Sequence, residues 1–126
     1  PTAMAKAFIP YSIAETDAHL VYEIGDLLKK QGFEVEYNWD MHNGQQVYDE
    51  VAQSQFFVGM VTHPRYQKQV TQLWQYALSQ HIPAYLIVED KIALPGTIKQ
   101  HPSIHVFRRY LPQNPVRFIE AHFSHR

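Results

Sequence analysis

The run Phe56-Phe57-Val58-Gly59-Met60-Val61-Thr62 is apolar at nearly every position. Gln55 bounds it on one side and His63-Pro64 on the other. A short, continuous apolar run with two valines and a glycine predicts a strand buried on both faces. Such strands lie in the middle of parallel sheets covered by helices. Chemistry then belongs just past Thr62, where a central strand hands the chain to a loop.

Reading outward, the elements alternate. Ala7-Phe8-Ile9 predicts a first strand ended by Pro10, and Tyr11-Ser12-Ile13-Ala14 a loop. Leu20, Val21, Ile24, Leu27 and Leu28 recur at helical spacing, with Thr16 or Asp17 as N-cap, Lys29-Lys30 in the last turn and Gly32 beyond it. Residues 33–39 alternate apolar and polar, as an edge strand does, and residues 40–44 form a loop. A helix follows over 45–54 with Val47, Tyr48, Val51 and Ala52 on one face. After the central strand come the loop 63–65, a helix over 66–81, a buried strand over 84–88, an irregular stretch with a helical turn near 93–102, and a strand over 104–107. Asn114 caps a last helix with Pro115 at its first position.

Strands alternating with helices predict an α/β fold: a three-layer α-β-α domain on a five-stranded parallel sheet. The flavodoxin-like order 2-1-3-4-5 puts strand 33–39 at an edge and strand 56–62 in the middle, as their compositions require. The 126 residues suit one domain over 1–126. Pro1-Thr2-Ala3 ahead of Met4 reads as a cloning remnant before a natural start.

Composition narrows the function. The chain is 45% hydrophobic and 18% charged, with formal net charge -1. It has no basic excess for a phosphate backbone, so nucleic acid is not the expected partner. Without cysteine there is no thiol catalysis, disulfide or Cys-ligated zinc. No apolar run reaches the roughly 18 residues of a membrane span. The expectation is a soluble, cytoplasmic protein. Eight histidines call for a metal check. His101 and His105 flank a turn and a strand, His122 and His125 sit near the chain end, and there is no His-Glu-x-x-His, so no metal is expected.

Open parallel sheets bind ligands beyond the strands' carboxyl ends, where the strand order reverses. That places Tyr11, Ser12 and Ile13 beside Thr62, His63 and Arg65, with Trp39, Asp40 and His42 approaching from one side. Thr71 and Trp74 read either as the cleft floor or as core packing. The inventory offers aromatic surfaces, hydroxyls and one cation. The Gly-rich fingerprints of dinucleotide and Walker-type sites are missing, and so are the acidic residues of a phosphate-receiver domain.

Ala7-Phe8-Ile9-Pro10-Tyr11-Ser12, Asp17 opening a helix, then Gly32-Phe33-Glu34-Val35 resemble the start of a Toll/interleukin-1 receptor (TIR) domain. Ser54-Gln55 running into 56–62, then Ala77 and Ile82-Pro83 ahead of Tyr85-Leu86-Ile87-Val88, extend the resemblance over residues 5–90. Nucleoside 2-deoxyribosyltransferase-like proteins share the pattern. Active members of both families carry a glutamate about four residues before the alanine matching Ala77, and here that position is Leu73. The glutamate works on the ribose–base bond of NAD or a nucleoside, and neither leucine nor the adjacent Gln72 supplies its charge.

Three readings follow. The first is a non-catalytic TIR-like domain that associates with itself or another TIR-like protein through the loop after the second strand, with Trp39, His42 and Asn43 in contact. The second is a domain that binds a nucleotide or NAD derivative. In it Tyr11, Trp39 and Trp74 stack a base, Arg65 and helix N-termini hold phosphate, and Ser12, Asp40, Thr62 and His63 complete the site. The third is an enzyme with Asp40 or Asp17 as carboxylate and His63 as acid or base.

Overall fold

The computed structural model describes residues 4–11, 13, 15–38, 44–108 and 116–124. Its strands are β1 (Lys6–Pro10), β2 (Glu34–Asn38), β3 (Phe56–Val61), β4 (Ala84–Glu89) and β5 (Ile104–Phe107). Its α-helices are α1 (Ala18–Lys30), α2 (Gly44–Ala52), α3 (Pro64–Ser79) and α4 (Val116–Ser124), with 3-10 turns at Glu15–Asp17 and Ile98–Gln100. The strands form one parallel sheet in the order β2-β1-β3-β4-β5. This is the flavodoxin-like α/β fold expected from the alternation of elements.

Strand β3 is buried at all six positions, whereas β2, at the edge, is exposed or half-buried throughout. Alternate residues of β3 feed two cores. Phe57 and Val61 pack with Val47 and Val51 of α2 and with Val70, Leu73 and Trp74 of α3. Phe56, Val58 and Met60 pack with Val21, Ile24 and Leu28 of α1 and with Ile119 of α4. Gly59 lets α3 approach closely, because a Cβ there would lie 2.8 Å from Val70 Cγ1.

One helix start and one cap interaction differ from expectation. Helix α3 begins at Pro64, two residues earlier, because His63 caps it: its Nδ1 accepts the Arg65 backbone N–H at 3.1 Å. Asp17 stands at the N-cap of α1 but makes no side-chain cap bond there, and it is buried.

Both long helices end in a Schellman motif. After α1, Gly32 (φ 96°) donates to the Lys29 carbonyl and Phe33 to that of Leu28. After α3, His81 (φ 61°) donates to the Leu78 carbonyl and Ile82 to that of Ala77. A side chain in the left-handed region is disfavoured where glycine is not. His81→Gly is therefore expected to stabilise the protein by about 0.5–1 kcal/mol, less whatever entropy the unfolded chain gains. Chemical denaturation checks it.

Helix α4 docks through aromatic rings at both of its ends. The Tyr85 hydroxyl and His122 Nδ1 are hydrogen-bonded, and His105 stacks on Phe118 at 4.7 Å. Burial holds His105 below the ordinary histidine value of 6.5. The fold thus favours neutral His105, and as pH falls the unfolded chain takes up that proton first. This contribution is full above about pH 6.5 and is lost as pH falls through the lower folded value. Melting temperatures between pH 7.5 and 5 should fall less steeply in His105→Phe, which keeps the stack and removes the proton site.

Candidate functional site at the carboxyl rim of the sheet

The strand order reverses between β1 and β3, whose neighbouring carboxyl ends mark the rim of the sheet. Val61 pairs with Val88, so the next residues are Thr62, just past β3, and Glu89, the last of β4. Val61 and Val88 face the α2/α3 core, and alternation turns Thr62 and Glu89 to the α1/α4 side. Phe107, the register partner of Glu89, lies in that same α1/α4 core. Asp17 is buried at the N-cap of α1, the helix packed on this side. It precedes Val21, Ile24 and Leu28 by four, seven and eleven residues, on the stripe of α1 that faces the sheet. Asp17, Thr62 and Glu89 are thus brought to one end and one side of the molecule, where Ile13 and Val116 supply apolar surface.

All three are deeply buried, at 3%, 8% and 6% exposure. Asp17 and Glu89 have partners within the protein. The Thr62 hydroxyl differs: among the described residues its Oγ1 is buried with no hydrogen-bond partner. Leaving such a group unpaired costs about 1–3 kcal/mol, so it asks for an explanation.

The other expected residues take distinct positions. Tyr11 follows β1 at the rim, its backbone N–H donating to the Asn38 carbonyl at 2.9 Å. Its ring lies 5.8 Å from that of Tyr22 on α1, and burial, then the hydrogen bond with Tyr22, push its phenol above the ordinary value. His63 and Arg65 are exposed at the rim. His63 serves as the helix cap, and Arg65 lies 5.7 Å over the Tyr66 ring. Ser12, Trp39, Asp40, His42 and Asn43 lie outside the described residues.

Trp74 is a correction. It is 2% exposed, its indole N–H donates to the Ala84 carbonyl at 3.1 Å, and His101 meets it edge-on at 5.0 Å. Ala84 opens β4, so Trp74 packs toward the amino end of the sheet, away from the rim. Its N–H is satisfied by main chain and its ring by core, which leaves nothing for a base. Thr71 is likewise buried, with Gln67 Nε2 donating to its hydroxyl at 3.4 Å.

Leu73 is 2% exposed and lines a cavity of about 170 Å³ between α2 and α3, with Gly44, Val47, Tyr48, Gln69 and Gln72. Sites for small organic ligands usually occupy about 300–1,000 Å³, so this cavity is smaller than the usual range.

Glu89 and the burial of Asp17 escaped the sequence reading, although both left a signal. Glu89 is a charged residue on the last position of a buried strand. Asp17 falls in phase with the apolar stripe of α1. Among the described residues no group of three or more His, Asp or Glu is placed to hold a metal, and no helix is long and apolar enough to cross a membrane.

No protein-family model matches the chain, and no curated protein sequence does. Solved structures do resemble it. The CMP N-glycosidase of Clostridium botulinum superposes with a TM-score of 0.62 at 13% identity, over 91% of this chain and 98% of that one. A diflavin flavoprotein A3 from Nostoc sp. superposes with a TM-score of 0.57 at 11% identity, over 94% and 88%. At these identities the likeness defines the class, an α/β domain of flavodoxin-like architecture. It gives no support particular to the TIR family.

Proposed function

We propose that the chain binds a nucleoside or nucleotide at the carboxyl rim of its sheet. One observation carries this reading: the Thr62 hydroxyl, buried and unpartnered at the end of the central strand, on the side where Asp17 and Glu89 are buried. A ligand polar group there restores the missing hydrogen bond. The position supports the reading, because parallel sheets bind ligands outside their carboxyl ends at the reversal of strand order. A structural relative that is a CMP N-glycosidase suggests the nucleotide class. Association through the loop after β2 rests on residues 39–43 and gains nothing from the described residues.

Cleavage of the ribose–base bond is a second reading, favoured by the two buried carboxylates. A carboxylate stabilises the oxocarbenium-like centre that forms when such a bond breaks. With leucine at position 73, that group would be Asp17 or Glu89.

A thermal-shift panel of nucleosides, nucleotides and NAD, with free base or nicotinamide measured in the same wells, tests both. A ligand at a hundredfold excess over its dissociation constant should stabilise the protein by about 2.7 kcal/mol. Thr62→Val should shrink that shift. Melting temperatures unmoved across the panel would overturn the binding reading. Base release that vanishes in Glu89→Gln or Asp17→Asn would establish the enzyme.

A further inference from the structure

Strand β2 ends the sheet. Among the described residues β1 pairs with one side of it and no strand pairs with the other. The Glu34 N–H donates to the Ala5 carbonyl and the Tyr11 N–H to the Asn38 carbonyl, each at 2.9 Å, so the even-numbered residues of β2 turn their main-chain groups to β1. Along a parallel strand the residues between them turn their N–H and C=O the other way. The main-chain groups of Val35 and Tyr37 therefore point out of the sheet, and no described residue hydrogen-bonds with them. The strand is exposed or half-buried along its whole length.

The side chains of this edge are sorted by polarity. Val35 and Tyr37 pair with Ala7 and Ile9 and share their side, that of the α1/α4 core. Lys29 and Asp26 of α1 both act on Tyr37, so that side is balanced in charge. Glu36 pairs with Phe8 of the α2/α3 core, which puts Glu34 and Glu36 on the opposite side. Glu50 of α2 reaches that side too, accepting from Asn38 Nδ2. None of the three glutamates has an ion pair among the described residues. Burial, then the charge of Glu50, push the Glu36 carboxyl above its ordinary value against the opposing pull of Lys6.

We propose that this edge docks an extended peptide segment in which apolar and basic residues alternate, added to the sheet as a further strand. Docking here does not depend on a ligand at the carboxyl rim. Main-chain hydrogen bonds to Val35 and Tyr37 hold the segment, and its alternate side chains select it. Its apolar residues fall beside Val35 and Tyr37, and its lysines or arginines beside Glu34, Glu36 and Glu50, where they relieve the crowding of like charge. A second copy is a poor occupant, because pairing β2 with β2 sets Glu34 and Glu36 against the same glutamates.

Fluorescence anisotropy with the full chain tests this, the probe being a labelled peptide of alternating valine and lysine, capped at both ends. It should bind, and its valine–glutamate counterpart should bind roughly tenfold or more weakly. Methylating alternate main-chain nitrogens of the peptide should abolish binding in one phase and spare it in the other, because one edge of a strand pairs and the other does not. Val35→Pro removes an outward N–H that the sheet does not use, a place where a sheet tolerates proline, and should weaken binding roughly tenfold or more. Glu36→Lys should do the same by charge. No binding of the valine–lysine peptide would overturn the proposal. So would binding that is equal in both methylated phases and unchanged in Val35→Pro, since charge attraction alone would then explain it. A dimer of the protein by itself, seen in sedimentation and lost in Val35→Pro, would put a second copy at the edge and overturn the peptide as occupant. If Val35→Pro does not fold, the two methylated peptides against the unaltered protein still decide.

Discussion

Trp74→Ala is expected to lower the stability of the protein by about 3–5 kcal/mol, the range for removing a large aromatic side chain from a packed core. Trp74 is 2% exposed, packs with Leu73, Val70 and Ala77, and donates its indole N–H to the Ala84 carbonyl. Removing it leaves a void in the α2/α3 core and strips that carbonyl of a donor. Trp74→Phe should cost less, because the ring remains and only the hydrogen bond and some volume are lost. Urea unfolding measures both. Any ligand affinity at the rim, read well below the melting temperature, should stay within about twofold of the parent, because Trp74 lies toward the opposite end of the sheet. A small stability change with lost ligand affinity would return Trp74 to the cleft.

Gly25→Ala is the second large effect, and its sign should invert with context. Gly25 lies buried in α1 under Tyr37 of β2. A Cβ there would sit 1.8 Å from Tyr37 Oη and 2.8 Å from Cζ. The Tyr37 ring meets Tyr22 at 5.5 Å, and Lys29 Nζ lies 5.9 Å over it. Overpacking of this kind costs about 1–3 kcal/mol even after the ring shifts. With Tyr37→Ala as background the obstruction is gone, and the same change should stabilise by about 1 kcal/mol, the helix preference of alanine over glycine. A double-mutant cycle on urea unfolding measures the coupling. Destabilisation of equal size in both backgrounds would show that Tyr37 does not cover Gly25. Tyr37→Phe alone should be neutral or mildly stabilising, since Tyr37 Oη is buried without a partner among the described residues.

The sheet was legible because its determinants are periodic. An uninterrupted run at 56–62, alternation at 33–39 and the three-four spacing of 20–28 each fix an element and the side it buries. The strand order then follows from which strand is driest and which is wettest. Helix starts were less legible, because a capping side chain is a choice among neighbours. His63 caps α3 where the sequence pointed to a loop, and Asp17 takes the N-cap position of α1 buried and without a side-chain cap bond.

The rim was legible as a place and only partly as a set of groups. Thr62 follows from its position after the central strand. Glu89 was passed over because a polar residue ending a strand is usually taken to face water, and here Phe107 pairs beside it on the covered side. Trp74 misled for the opposite reason. A large aromatic ring on the helix after β3 suits either a base or a core, and only its satisfied N–H and 2% exposure separate the two. Leu73 is likewise core, so the carboxylate that the TIR and deoxyribosyltransferase resemblance implies in that helix has no counterpart at this position.

The central claim is that ligand binding occurs at the carboxyl rim on the α1/α4 side. Amide chemical-shift mapping of the labelled protein, titrated with the ribonucleotide that gives the largest thermal shift, tests it most directly. The predicted result is a cluster of shifts at Ile13, Asp17, Thr62, His63 and Glu89, with Val47, Tyr48 and Leu73 unmoved. Shifts confined to Val47, Tyr48, Gln69 and Leu73 would place the site in the cavity between α2 and α3 and contradict the account.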